Sequence, residues 1–164
     1  MKNPGLPANW ESLAEKNKKK YKDFLNRVRV KKIYPQLPAL HQAVFNVVDC
    51  LECGNCCKGY SPRFKTPDIK RLSQHLKMKE SAFIDAYLVM DEDGDYVNKS
   101  QPCPFLAHGN KCMVYDNRPS DCRRFPYTDE DVFVKRKNIT LKNASFCPAV
   151  FLLLETLMEE ISGK

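Results

Sequence analysis

Four cysteines fall within the eight residues Cys50-Leu51-Glu52-Cys53-Gly54-Asn55-Cys56-Cys57. Thiols three residues apart can be turned toward one point by a tight turn of backbone, and Gly54 relieves the crowding such a turn creates. Cysteines that merely fill a core have no reason to recur at every third position of a polar segment. The segment therefore reads as a ligand loop, and the fold has to be organised around what it holds. Cys103, Cys112, Cys122 and Cys147 follow at scattered positions, so the total divides into two sets of four. Adjacent side chains diverge, and on that ground Cys56 and Cys57 are expected not to share one mononuclear ion, which points to two metals or a cluster.

Disulfide staples do not explain these cysteines. A chain of 164 residues can bury about 70% of its unfolded surface in an ordinary core. The first residues, MKNPGLPANWESLAEKNKKKYK, lack the apolar h-region of a secretory signal. The longest apolar run, Ala149 to Leu154, is far short of the roughly 18 residues that suggest a membrane span. A cytoplasmic location is expected, where thiols stay reduced and clustered cysteines serve metals or catalysis.

The formal charge of +7 is uneven: residues 1–40 hold ten basic and three acidic side chains, and residues 41–164 hold 17 of each. With no domain-wide basic footprint, nucleic acid is not the expected partner, and neither is a membrane. A protein partner reached through the basic N-terminal helix is the expectation that remains.

Apolar residues at positions 10, 13, 14, 21, 24, 25 and 28 predict an amphipathic helix from Trp10 to Ile33, ended by Pro35. A shorter helix is predicted from Pro38 to Val48. Thr66-Pro67-Asp68 reads as a helix start, with Thr66 as cap, and Glu80 to Tyr87 as another helix. Leu88 to Met90 and Tyr96 to Asn98 read as a hairpin across Asp91-Glu92-Asp93-Gly94-Asp95. A second hairpin is expected between Phe105-Leu106 and Met113–Tyr115, a strand at Val132–Val134, and a last helix from Pro148 to about Ile161. The fold class is thus α+β: a small, helix-rich single domain with short β-hairpins and long loops organised around a cysteine metal site. Residues 1–35 are set apart as a basic helical appendage, and residues 36–164 form the cysteine-cluster domain.

The combination of CLECGNCC, CPFL at Cys103, a second cysteine before Met113-Val114-Tyr115, RPSDCRRFP around Cys122 and the final Cys147-Pro148 resembles the YkgJ-type cysteine-cluster family. The likeness runs from about Cys50 to Pro148, and the same signature occurs in the much longer flagellin lysine N-methylases. The resemblance implies a zinc- or iron-chelating domain with Cys50, Cys53, Cys56, Cys57, Cys103, Cys112, Cys122 and Cys147 as metal ligands. It leaves the first 45 residues unexplained.

Structural zinc bound by four thiolates usually takes two CxxC knuckles, and this chain has one such region. CxxCxxC with a distant Cys-Pro instead parallels ferredoxin ligation, where three close thiolates and one remote thiolate hold a cuboidal cluster. An iron–sulfur cluster, of the 4Fe–4S kind, is favoured over zinc. Arg118 and Arg123, with Arg124, flank Cys122 and can offset thiolate charge at such a cofactor; the competing expectation pairs Arg118 with Asp116 or Asp121.

The six scattered glycines offer no phosphate loop, which argues against ATP and NAD chemistry. His41, His75 and His108 are isolated, and only His108, near Cys112, is a candidate ligand or proton donor. The acidic run from Asp91 to Asp95 lacks the closing glutamate of a calcium loop. No catalytic residue can be named. The function expected first is metal chelation with a redox or electron-transfer role. Against it stand a structural zinc module that docks a partner or nucleic acid through its basic helix, and the accessory domain of a protein-modifying, methylase-like enzyme.

Overall fold

In the computed structural model, which describes residues 5–162, eleven α-helices and one hairpin alternate with short turns. The helices are α1 (Trp10–Arg27), α2 (Val30–Ile33), α3 (Leu37–Phe45), α4 (Cys50–Cys53), α5 (Asn55–Gly59), α6 (Thr66–His75), α7 (Glu80–Tyr87), α8 (Ser120–Arg124), α9 (Val132–Lys135), α10 (Lys137–Ala144) and α11 (Pro148–Ser162). The strands β1 (Leu88–Met90) and β2 (Tyr96–Asn98) pair antiparallel, with Leu88 opposite Asn98 and Met90 opposite Tyr96. The result is a helix-rich α+β chain. It divides into two units, Met1–Asp49 with Pro126–Lys164, and Cys50–Phe125.

In the first unit the apolar run that opens α11 is buried from Ala149 to Leu154, followed by Leu157 and Met158. Such all-round burial needs neighbours on every side. The helices α1, α3 and α10 supply them. Helix α1, set apart in the sequence reading with residues 1–35, buries Ala14, Tyr21 and Leu25 here. The Tyr21 hydroxyl donates to Glu155 Oε1 at 2.6 Å, and Asn17 Nδ2 donates to the same oxygen at 3.0 Å. Burial first, and the adjacent Glu155 second, push the Tyr21 phenol well above its ordinary value. Cys147 is buried just before α11; its N–H bonds to Asn143 O at 2.8 Å.

Two expectations fail in this unit. The helix foreseen from Trp10 to Ile33 breaks at Val28, where ψ is 145°, and at Arg29, where ψ is 128°. Val28 is β-branched and accepts extended backbone readily. Past the break, Ile33 is fully buried. The strand expected at Val132–Val134 is instead the helix α9. Phe133 and Val134 are both buried, which defeats the alternation a strand requires, and the Lys135 ammonium pairs with the Asp131 carboxylate one turn back.

In the second unit Phe64, Ile69, Leu72, Phe83, Leu88, Phe105 and Val114 form the core, and Cys103 and Cys112 pack against it. The Phe83 and Phe105 rings stack with centroids 6.2 Å apart, and Tyr87 leans on both. The second expected hairpin is reduced to one antiparallel bridge between Leu106 and Cys112. Gly109 and Asn110 turn the chain there at φ 74° and φ 63°. Thr66 does not cap α6: it is the first helical residue, and the Lys65 N–H is satisfied by Asp68 Oδ2 at 3.2 Å.

Candidate metal centre

Cys50 and Cys53 open and close α4, and Cys56 and Cys57 lie side by side in α5. Gly54 joins the two helices at φ +61°, in the left-handed region that strains any residue with a Cβ. A Cβ at this position would also lie 2.8 Å from Asn110 Cβ and Cγ. This close approach is locked by Asn110 Nδ2, which donates to Glu52 O at 2.7 Å and so fastens the turn before Cys112 to the helix of Cys50 and Cys53. Gly54→Ala is accordingly expected to cost about 2 kcal/mol, combining left-handed strain with overpacking. Denaturant titration should show a lower midpoint with an unchanged slope.

The next contact brings a distant segment in: the Cys103 N–H donates to Cys57 O at 2.7 Å. The thiols of Cys57, Cys103, Cys112 and Cys122 then lie close enough for the charge of each to bear on the others. A hydrogen bond from Cys56 brings the Cys57 thiol down to about 7 against the pull of burial, with the Lys58 ammonium assisting. Burial pushes the thiols of Cys103, Cys112 and Cys122 up, and mutual repulsion adds to it, most of all at Cys122. Cys57, Cys103, Cys112 and Cys122, from four segments, thus feel one another's charge, and the last three resist ionisation. A cation placed among them would reverse that balance.

Arg118 is a second positive charge that acts on this group, favouring thiolate at Cys112 and Cys122. It pairs with neither Asp116 nor Asp121. Its guanidinium carbon lies 3.7 Å from the centre of the Tyr115 ring, and Nη1 donates to Tyr115 O. Asp121, 1% exposed, is taken instead by Arg63 at 2.9 Å and Lys65 at 3.7 Å. Arg123 donates from Nη2 to Asp116 O at 2.6 Å and from Nε to Arg118 O at 3.2 Å, fixing the turn that carries Arg118.

Helix α8, which bears Cys122, is held from below by Asp68. This buried carboxylate accepts the Ser120 N–H and hydroxyl, each at 3.0 Å, and Arg71 Nη2 at 2.8 Å. Arg71 continues to Asn117 O and Arg118 O. The RPSDC segment is therefore positioned by an ion pair on α6.

Zinc or iron is what such a donor set accepts, since soft thiolates select those metals. A further observation fits a bound group: Asn98, 7% exposed at the end of β2, lies close enough to Cys103 to favour its thiolate, yet neither its side-chain nitrogen nor its oxygen completes a hydrogen bond. Amides next to thiolate sulfurs are a common device for tuning metal centres. Among the described residues, no three His, Cys, Asp or Glu side chains are drawn tightly enough together to hold a metal ion as they stand. Cys50 is exposed, Cys53 half-buried, and Cys147 belongs to the other unit. His108 lies in the turn before Cys112. Asn98 and Asp68 carry no sequence signal for a role at the thiols; both act through contacts with residues distant in the chain.

A helix-rich chain whose free thiols converge in this way is a thiolate chelator in class. The model of the CxxCxxCC family, described as a zinc- or iron-chelating domain, matches residues 49–148. That span exceeds half the chain and takes in all eight cysteines, and the protein belongs to this family. No curated protein and no solved structure matches the chain. Among the described residues, no helix is long and apolar enough to cross a membrane.

Proposed function

We propose that the chain holds an iron–sulfur cluster on its thiolates and passes electrons through it, in the reducing setting of a cytoplasm. The observation that supports this reading is the gathering of five thiols, Cys56, Cys57, Cys103, Cys112 and Cys122. A tetrahedral zinc ion takes four ligands. A fifth sulfur beside the other four suits a polynuclear centre better. Cys57, Cys103, Cys112 and Cys122 would hold the cluster, with Cys56 beside them. When bound, the cluster supplies reversible one-electron chemistry.

The remaining roles belong to the chain itself. Arg118 offsets thiolate charge at Cys112 and Cys122, which favours the more negative, reduced state. Cys103 and Cys112 back onto the aromatic core, which limits solvent on that side. Anaerobic isolation is expected to give coloured protein with iron and acid-labile sulfide in fixed ratio, and a paramagnetic signal on one-electron reduction. Colourless protein with stoichiometric zinc would overturn the cluster while leaving chelation in place.

A further inference from the structure

The first unit contains a groove of about 580 Å³ lined by Lys20, Phe24, Arg27, Val28, Arg29, Lys32, Met158 and Ile161. Its floor is apolar, from Phe24 and Val28 on one side and Met158 and Ile161 of α11 on the other. Its rim is cationic: Lys20 and Arg27 rise from α1, Arg29 stands in the break after it, and Lys32 is on α2. Among the described residues, no carboxylate lines the groove. None of the four cations is ion-paired among the described residues; Arg27 Nε donates only to Asp23 O. Val28 and Arg29, at the break in the basic helix, line the groove.

From these features we infer that the groove receives an acidic segment of a protein partner that inserts an apolar side chain between the carboxylates it offers to the rim. The charges decide against a single anionic headgroup. Lys20 and Arg27 are seven residues apart on α1, which spreads them over about 10 Å at 1.5 Å per residue. Several carboxylates along a peptide match that spread, whereas one phosphate does not. The shape decides against a membrane, which takes up apolar side chains that protrude, whereas these line a concavity. The apolar floor decides against nucleic acid, because a phosphate backbone has nothing to bury there and, among the described residues, only one aromatic ring, Phe24, is present for stacking. An apolar anchor in a pocket with charged rim contacts is how short segments are commonly recognised.

The test uses the full chain and a fluorescein-labelled peptide with Leu-Phe at its centre and glutamates on both sides. A second peptide replaces Leu-Phe by Gly-Ser. Fluorescence anisotropy should show saturable binding of the first, weakened about tenfold or more by added salt, by the Gly-Ser exchange, and by the double change Arg27→Glu and Lys32→Glu. Both changed side chains are exposed, so circular dichroism should be unaltered. Phe24→Ala should weaken the first peptide and leave the second unchanged. Equal binding of the two peptides, indifference to the charge reversal, or tighter binding of single-stranded DNA or of phosphatidylglycerol vesicles would each overturn the proposal.

Discussion

Removal of bound metal is expected to melt Cys50–Phe125 while helices α1, α3, α10 and α11 keep their structure. The second unit has little else to hold it. Its helices α4, α5 and α8 have four or five residues, its strands have three, and its buried apolar cluster numbers seven side chains. Helices this short are not stable on their own, and units well below 100 residues are marginal without a staple. Thiolate-bound metal contributes about 10–16 kcal/mol in small zinc domains, as much as the whole stability of a typical domain, about 5–15 kcal/mol. In the first unit, by contrast, α11 is buried along most of its length against three other helices. Hydrogen exchange read by mass spectrometry should therefore show lost protection in α4, α5 and residues 101–125 after chelation, with α11 unchanged. Protons compete with metal for thiolates, so the same loss should appear at lower chelator concentration as pH falls. Unchanged protection of Cys50–Phe125 in metal-free protein would show that its fold does not depend on the site.

The sequence spoke clearly wherever local chemistry decides structure. Leu88–Met90 and Tyr96–Asn98 pair as expected because Asp91 organises the turn between them, its Oδ1 accepting the N–H groups of Asp93 and Asp95. Helix α6 begins at Thr66 and α7 spans Glu80–Tyr87 as their punctuation placed them, although the oxygen that satisfies the Lys65 N–H at the start of α6 comes from Asp68 and Thr66 is no cap. Elsewhere the outcome depends on distant partners. The β-branched Val132 and Val134 favour a strand by propensity, but burial of consecutive residues selects a helix. Spacing marked the CxxCxxCC loop as a ligand loop without saying which thiols meet. What joins Cys57 to Cys103 is a backbone bond across the chain, Cys103 N–H to Cys57 O. The same holds for Arg118: Asp121 is engaged by Arg63 and Lys65, and the guanidinium settles on Tyr115.

Asp68→Ala is expected to destabilise Cys50–Phe125 by about 3 kcal/mol, because it leaves a partly buried guanidinium and several donors without their acceptor. The carboxylate is 2% exposed, and it joins the first turn of α6 to the first turn of α8 through Arg71 and Ser120. Cys122 lies two residues beyond Ser120, so metal occupancy should fall with stability. Asp68→Asn should cost nearly as much. The Arg71 guanidinium and the N–H groups of Lys65 and Ser120 are all donors, and only the Ser120 hydroxyl can turn to accept from an amide. Burial alone would raise the Asp68 carboxyl, but Arg71 and the hydrogen bonds from Ser120 and Lys65 outweigh it and hold the group below the ordinary carboxylate range. A folded-state value below the unfolded one means that the unfolded chain binds the extra proton, so stability rises with pH through this window. The contribution is fully present above the unfolded value, about 3.9, and disappears as pH falls through the lower folded value. Denaturation midpoints measured from neutral to acid pH should thus converge for wild type and Asp68→Asn, the gap being widest near neutrality. A constant gap at every pH would assign the loss to packing and remove the ion pair from the account of how Cys122 is positioned.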